Sequence, residues 1–416
     1  MTLNITILGG GMIVHDQILP SLYQLQRERK VGAITIAASS TARLRDLVTE
    51  RFASAFPGQT FHAMPALTEP DTRRFPDQWK QAVMALRPRQ MVIVATPDEL
   101  HFEMVKFALE HDQHVLCVKP LVHRYDQAEE LANLAAARGL FVGVEYHKRY
   151  DRRSLEARGS YRAGRFGAFK CGEAKLIEPW SYRHSNFQNW FTKDKTDPFT
   201  YIGCHYVDLV FFITGLRPVE VSVRGVEGAF PNGKVAHMWS AGHVIFENGG
   251  ILSVINGLGY PDRGAGSNDQ GMCLFCEGGA PGAPGADGAV IHHSDQFRGV
   301  SHSYLQPSPA GKYFHFINPD YFRLVPWEGE GLRPVGYGHD SIEANVLAAT
   351  RIEAEPGGDL TKRQTMIRAI DERGILATPR NSSINELVVE AARLSITNDG
   401  ARVKIEYGAK PGIRRG

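Results

Sequence analysis

Apolar residues in the first third of the chain follow two alternating patterns. Short, nearly continuous apolar runs occur at 3–8, 33–38, 90–95, 114–118 and 141–145. Runs of this length, bounded by turn residues, read as strands buried on both faces in a parallel sheet. Between them the apolar residues recur at helical spacing, as at Ile18, Leu22 and Leu25, or at Leu131 and Leu134 before a stop at Gly139. The stretch from Pro57 to Pro76, rich in Pro, Thr and charge, reads as a surface connection. Strand and helix alternating over residues 1–150 predicts an α/β domain on a doubly wound parallel sheet.

From residue 151 onward the pattern changes. Strand-like stretches at 169–178 and 219–226 are followed by 243–247 and 251–254, which flank the hairpin signal Asn248-Gly249-Gly250. Strands joined this way predict a second, α+β domain over 151–416 with a large, mostly antiparallel open sheet. A helix is delimited by Asp197-Pro198 and Gly215. Asp340-Ser341-Ile342-Glu343 and Ser383-Ile384-Asn385-Glu386 read as capping boxes, opening helices with apolar faces at Ile342, Val346 and Ala349 and at Leu387, Ala391 and Leu394. The helices of about 340–398 are expected to pack as scaffold.

Composition narrows the partners. The chain has 416 residues, a formal net charge of +2 and five cysteines. Charges of both signs are interspersed, which argues against a nucleic-acid surface and for a small ligand. No apolar run reaches membrane-spanning length, and a strand begins almost at the N-terminus, so neither a membrane span nor a secretion leader is expected. An odd cysteine count points to a reducing cytoplasm. Cys273-Leu274-Phe275-Cys276 lacks a second pair and His292-His293-Ser294-Asp295 lacks a third spaced ligand, so no metal is expected; 279–285 reads as a flexible glycine loop.

The chemistry begins where the first strand ends. Gly9-Gly10-Gly11-Met12-Ile13 leads from strand to helix, leaving backbone N–H groups at a helix N-terminus to face an anion such as a dinucleotide pyrophosphate. Gly9 and Gly11 fill the first two glycine roles of the G-x-G-x-x-G fingerprint and Val14 occupies the third. At the end of the second strand, where an acidic residue would bind the adenosine ribose, the chain has Ser39-Ser40-Thr41 with Arg43 beyond, which leans toward NADP over NAD. Thr96-Pro97-Asp98-Glu99 reads as a capping box at the carboxyl end of a strand, with His101 one turn further in. Lys119-Pro120 ends the next strand. A lysine there can donate to a substrate hydroxyl and favour its alkoxide, or be a solvated residue before a turn.

Four motifs in this order, Gly9-Gly10-Gly11-Met12-Ile13, Ala95-Thr96-Pro97 with His101, Val115-Leu116-Cys117-Val118-Lys119-Pro120 and His147-Lys148-Arg149-Tyr150-Asp151, resemble the glucose–fructose oxidoreductase / inositol dehydrogenase / rhizopine-catabolism (Gfo/Idh/MocA) family. The usual Glu-Lys-Pro is Val118-Lys119-Pro120 here. The resemblance implies a Rossmann domain binding NAD or NADP, with Glu145 among the cofactor residues and His147 and Arg149 facing substrate. It also implies a second domain whose free sheet face makes a homodimer or homotetramer contact.

On the helix after Pro198, Tyr201, His205 and Asp208 stand at i, i+4 and i+7, one polar stripe on an otherwise apolar helix. Such a stripe faces substrate or forms an internal network. Gly203-Cys204-His205-Tyr206-Val207-Asp208 matches the family's Gly-x-His-x-x-Asp pattern, and Tyr201 stands where many members have aspartate. A nearby lysine cation favours a phenolate, so Tyr201 with Lys119 is one proton-transfer candidate and His205 the other. Asp197 reads as an N-cap. Trp180 and His184, with their aromatic and polar neighbours, suit stacking on a sugar face or a surface loop.

These residues predict a nicotinamide-dependent oxidoreductase acting on a secondary hydroxyl or ketone of a sugar, inositol or related polyol. Lys119, Tyr201 and His205 would be catalytic, with Trp180, His184, His147, Arg149 and Asp208 binding substrate. Two alternatives remain: a glycosidase using the dinucleotide transiently, and a non-catalytic dinucleotide sensor.

Overall fold

The computed structural model describes residues 2–263, 268–278, 288–297, 300–306, 315–317, 321–354 and 359–416, with backbone alone over 292–297, 300–306 and 315–317. The glycine-rich run 279–285 and the side chains of His292 to Asp295 lie outside the described residues. The chain divides into two compact units. One comprises Met1–Val122, Asp126–His147 and Tyr321–Asn381; the other comprises His123–Tyr125, Lys148–Asp320 and Ser382–Gly416.

The first unit is built on six strands: β1 (Leu3–Leu8), β2 (Val31–Ala37), β3 (His62–Met64), β4 (Met91–Val94), β5 (His114–Val118) and β6 (Val142–Glu145). They form one sheet in the order β3-β2-β1-β4-β5-β6, parallel throughout. The order reverses between β1 and β4, and in such sheets ligands bind outside the carboxyl ends of the strands at this switch point. Leu3, Ile5, Ile7, Ile36, Met91, Ile93 and Leu116 are wholly buried, as expected of strands covered on both faces.

The second unit carries β7 (Phe169–Pro179), β8 (Pro218–Ala229), β9 (Val235–Phe246), β10 (Ile251–Tyr260), β11 (Asp269–Cys276), β12 (Ala289–Phe297), β13 (Val300–Gln306) and β14 (His315–Ile317). A ribbon of β15 (Arg323–Pro326) and β16 (Leu332–Val335) belongs to the first unit. The last strands, β17 (Val403–Glu406) and β18 (Gly412–Arg415), return to the large sheet. Its ten strands run β14-β13-β12-β11-β7-β10-β9-β8-β17-β18. Among the described residues only the β7/β10 pair of this sheet is parallel, so the sheet is mostly antiparallel and mixed. The β9–β10 hairpin turns at Gly249, with φ +80°, while the Asn248 side chain accepts from the Gly250 N–H at 3.0 Å. No helix among the described residues is long and apolar enough to cross a membrane.

The C-terminal helices divide differently from the boundary at residue 150. Helices Tyr337–Ala354 and Leu360–Arg373 fold with the first unit, whereas Ile384–Ile396 packs in the second. The reason is the apolar face of Tyr337–Ala354: Ile342, Val346, Ala349 and Ile352 are wholly buried within the cluster formed by Ile5, Ile7, Leu22 and Leu25. The helix also sits close on β6, where a β-carbon at Gly143 would lie 2.0 Å from Asn345 Oδ1. At its far end, Glu353 accepts from Arg89 at 2.8 Å and from His114 Nε2 at 3.2 Å. His114 Nδ1 accepts the Phe141 N–H at 2.9 Å, which leaves the proton on Nε2, and burial lowers the pKa of this imidazole.

Two caps also differ from the sequence pattern. Asp340 lies inside the first turn of Tyr337–Ala354 instead of capping it, and Thr96 Oγ1 points to Met104 Sδ at 3.5 Å, with a 3-10 turn Asp98–Leu100 preceding helix His101–Glu110. Ile342→Ala should cost about 2–5 kcal/mol in urea unfolding of the full chain, because it empties a filled core. A loss under about 0.5 kcal/mol, the size of a surface substitution, would remove this helix from the core.

Candidate active site

The turn after β1 is shaped by two glycines with different tasks. Gly9 has φ +107°, and a β-carbon there would stand 2.2 Å from the Ala95 carbonyl oxygen, so no other residue fits. At Gly11 a β-carbon would meet nothing within 4 Å, and the residue is exposed. The backbone is therefore open where a pyrophosphate would approach, and the residues present fit a dinucleotide. Met12 is exposed and Ile13 half-buried beside this opening. The helix then starts as a π turn, Val14–Ile18, with Val14 wholly buried.

Ser39 is exposed and Ser40 buried just beyond β2, and Arg43 is exposed on the short helix Thr41–Arg45. That helix packs on the glycine turn: a β-carbon at Gly10 would lie 3.3 Å from the Arg43 β-carbon. The Arg43 guanidinium is 3.6 Å from Asp46, an exposed pairing that contributes little.

Thr96, Pro97 and Lys119 are half-buried at the carboxyl ends of β4 and β5. His101 is wholly buried and ties these ends together, its Nδ1 2.8 Å from the Pro120 carbonyl and its Nε2 2.9 Å from the Thr96 carbonyl.

Glu145, at the end of β6, is held in a network of its own. It is buried, and its two carboxyl oxygens accept from Gln17 Nε2 at 2.8 Å and Ser341 Oγ at 2.9 Å. Gln17 donates further to the Gly338 carbonyl at 3.0 Å and accepts from the Tyr321 hydroxyl at 2.6 Å. Burial outweighs both hydrogen bonds and pushes the Glu145 pKa up to about 8. His147 stacks beside this network on Tyr337, with ring centroids 5.8 Å apart, and tilts against Tyr321 at 5.1 Å.

In the second unit the helical stripe separates into two environments. Asp208 accepts from Arg149 Nε at 2.8 Å and Nη2 at 2.5 Å, and from Asn385 Nδ2 at 2.8 Å. Arg149 and Asp208 are both about 1% exposed, so in this structure the pair forms an internal network. Tyr201 lies on a π turn, Phe199–Gly203, half-buried and edge-on to the rings of Phe187, Trp190 and Phe191 at 5.3–5.7 Å. His205 follows in helix Cys204–Thr214 and is 5% exposed. π turns recur at functional sites because they displace side chains from the regular stripe. Asp197 caps this segment, accepting the Thr200 N–H at 2.9 Å and its hydroxyl at 2.8 Å. Trp180 and His184 are exposed on a 3-10 turn, with the Arg183 guanidinium 3.9 Å from the Trp180 ring centroid.

Residues 3–146 match the model of the oxidoreductase family with an NAD-binding Rossmann fold. That stretch, about a third of the chain, is similar to the NAD-binding domain of the Gfo/Idh/MocA oxidoreductases. An uncharacterized oxidoreductase of Schizosaccharomyces pombe is 36% identical over 139 residues, 32% of this chain and 36% of that protein. The D-glucoside 3-dehydrogenase of Escherichia coli is 23% identical over 223 residues, 52% of this chain and 56% of that enzyme. The chain thus matches between about a third and just over half the length of these curated relatives. The crystal structure of an inositol dehydrogenase homolog from Azotobacter vinelandii, complexed with NADH and myo-inositol, aligns over 97% of this chain and 98% of that one. Its TM-score is 0.64 at 19% identity, which establishes the shared fold.

Gln17, Ser341 and Tyr321 around Glu145 in the first unit, and Asn385 beside Asp208 in the second, are partners that the sequence did not connect to these residues. Gln17 was visible only as a polar residue one position before the apolar stripe of the first helix. The other three come from segments far away in sequence.

The Glu145 carboxyl binds a proton more tightly folded than unfolded. Its stabilising contribution is full below the ordinary carboxylic range and is lost as pH rises from there to about 8. The slope from this group is about 1.4 kcal/mol per pH unit. Glu145→Gln should flatten that part of the stability–pH curve and raise the melting temperature at pH 8, measured by calorimetry. An unchanged curve would mean that Glu145 titrates normally.

Proposed function

We propose that the protein is an NAD(P)-dependent dehydrogenase that interconverts a secondary hydroxyl and a ketone on a sugar, inositol or related polyol. The observation that carries this reading is the pairing of an open glycine turn at Gly11 with a half-buried lysine, Lys119, at the carboxyl end of the same parallel sheet. The dinucleotide, when bound, supplies the hydride acceptor or donor. The chain's own residues bind, orient and move the proton.

Gly9 and Gly11, with Met12 and Ile13, would hold the pyrophosphate, and Thr96 and Pro97 would border the ring. Lys119 donates to the reacting oxygen and favours its alkoxide-like state in either direction. Tyr201 or His205 exchanges the hydroxyl proton, and the π turn under Tyr201 supports its candidacy. Trp180 and His184, exposed and mixed aromatic and polar, suit a sugar's two faces. Ser39, Ser40 and Arg43 present hydroxyls and a cation at the end of β2, which supports NADP over NAD.

All five cysteines are free thiols, consistent with a reducing cytoplasm. Cys273 and Cys276 stand three apart on β11, hence on opposite faces, and burial raises both thiols, so neither suits redox use. The large sheet leaves Ile251, Ile255 and Phe275 exposed, with Phe275, Cys171, Ile251 and Ile245 in one register row across four strands. A second copy of the chain would cover this row as a homo-oligomer contact.

Incubation with a panel of sugars, inositols and sugar acids should change nicotinamide absorbance, faster with NADP than with NAD. Lys119→Ala should lower kcat by about 10²–10³. Of Tyr201→Phe and His205→Gln, the one that removes the proton-transfer group should cost about 10²–10⁴. Glycoside cleavage without net turnover would favour the transient-oxidation chemistry, and dinucleotide binding with no turnover a sensor. Sedimentation should find a dimer or tetramer that Ile255→Lys with Phe275→Lys dissociates; a monomeric wild type would remove the oligomer reading.

A further inference from the structure

The second unit contains a cavity of about 290 Å³ that none of the proposed catalytic residues lines. Its walls are the segment carrying Lys193 and Asp197, the start of β9 with His237, the last turns of helix Ile384–Ile396 with Glu390 and Arg393, and β18. Leu394, Ile396 and Ile413 add apolar surface to the lining.

The carboxylates there are already committed. Asp197 accepts both donors of Thr200, and Glu390 accepts the Tyr125 N–H at 3.1 Å. The cations keep donors in reserve. Arg393 has five N–H groups; one Nη2 bond goes to the Asp194 carbonyl at 3.1 Å, while Nη1 stands 3.6 Å from Asp197, beyond a good hydrogen bond. Lys193 has three N–H groups and is 3.1 Å from one Glu227 oxygen. His237 is 8% exposed, its Nε2 lies 4.0 Å from Glu227, and its buried Nδ1 has no hydrogen-bond partner among the described residues. An orphaned buried nitrogen is costly unless a ligand or water satisfies it.

We propose that this cavity binds a small carboxylate- or phosphate-bearing anion through Arg393, Lys193 and His237. Charge-assisted bonds from the guanidinium and ammonium would hold the anion, with the His237 side chain forming part of the wall beside them. This site is separate from the dehydrogenase chemistry and does not rest on it.

Titration calorimetry of the full chain at constant ionic strength, with inorganic phosphate, with succinate and with chloride as control, tests the proposal. Saturable one-to-one binding of phosphate or succinate is expected, and the preferred probe distinguishes the two sources. Arg393→Met and Lys193→Gln should each weaken it about tenfold or more, the loss expected of one charge-assisted partner. Lys193 is exposed, so its variant should fold even if Arg393→Met does not; His237→Phe is a further variant. No binding beyond chloride would overturn the proposal. So would equal binding by the Lys193 and His237 variants, since the anion would then sit elsewhere, as at the glycine turn.

Discussion

The first unit depends on a backbone approach too close for any side chain. Gly9 donates its N–H to the Ala37 carbonyl at 2.8 Å, and the Ala95 N–H donates to the Leu8 carbonyl at 2.9 Å. Three strand ends, those of β2, β1 and β4, are thereby tied at one point, and the Ala95 carbonyl occupies the space a β-carbon at Gly9 would need. With φ fixed at +107°, the chain has one way to leave the sheet, and that direction carries Gly11 into the open. The Val14 and His15 N–H groups then both donate to the Gly11 carbonyl, so the helix starts immediately. The third position of the fingerprint normally needs glycine for close helix–strand packing. Here the helix opens with a π turn, and Val14 is accommodated wholly buried within the core.

The same turn explains why a buried acid is tolerable nearby. Gln17 belongs to that π turn and hydrogen-bonds Glu145 at the end of β6. An ionised carboxylate one hydrogen bond from a turn open to a pyrophosphate would oppose such an anion electrostatically. Burial removes the conflict by keeping Glu145 largely protonated at neutral pH. The network also fastens the segment around Tyr321, Gly338 and Ser341 to the sheet, so a stretch nearly two hundred residues from Glu145 becomes part of the first unit's wall.

Much of this was legible in the sequence because it is local. Parallel strands betray themselves by apolar runs, the Gly9–Gly11 turn by its glycines, and the β9–β10 hairpin by Asn248-Gly249-Gly250. The end of helix Cys204–Thr214 at Gly215, with φ +78°, follows the same rule. What was not legible is non-local. The helix Tyr337–Ala354 has an apolar face that would suit either unit, and only its fit against β6 and the first helix decides between them. Glu145 and His101 sit at strand and helix positions typical of ligand contacts, but their orientation depends on partners such as Ser341 and Pro120 that no spacing rule connects to them.

The stripe of Tyr201, His205 and Asp208 shows how one spacing can hold two kinds of chemistry. On an uninterrupted helix the three would share a face and an environment. The π turn Phe199–Gly203 ends between the first residue and the other two, so Tyr201 enters a nest of aromatic rings, whereas Asp208 stays on the regular helix opposite Arg149. An aspartate inside low-dielectric surroundings is stable only with a matched cation and further donors, and Arg149 with Asn385 supplies both. With its lone pairs engaged by Arg149 and Asn385, Asp208 anchors the helix that carries His205.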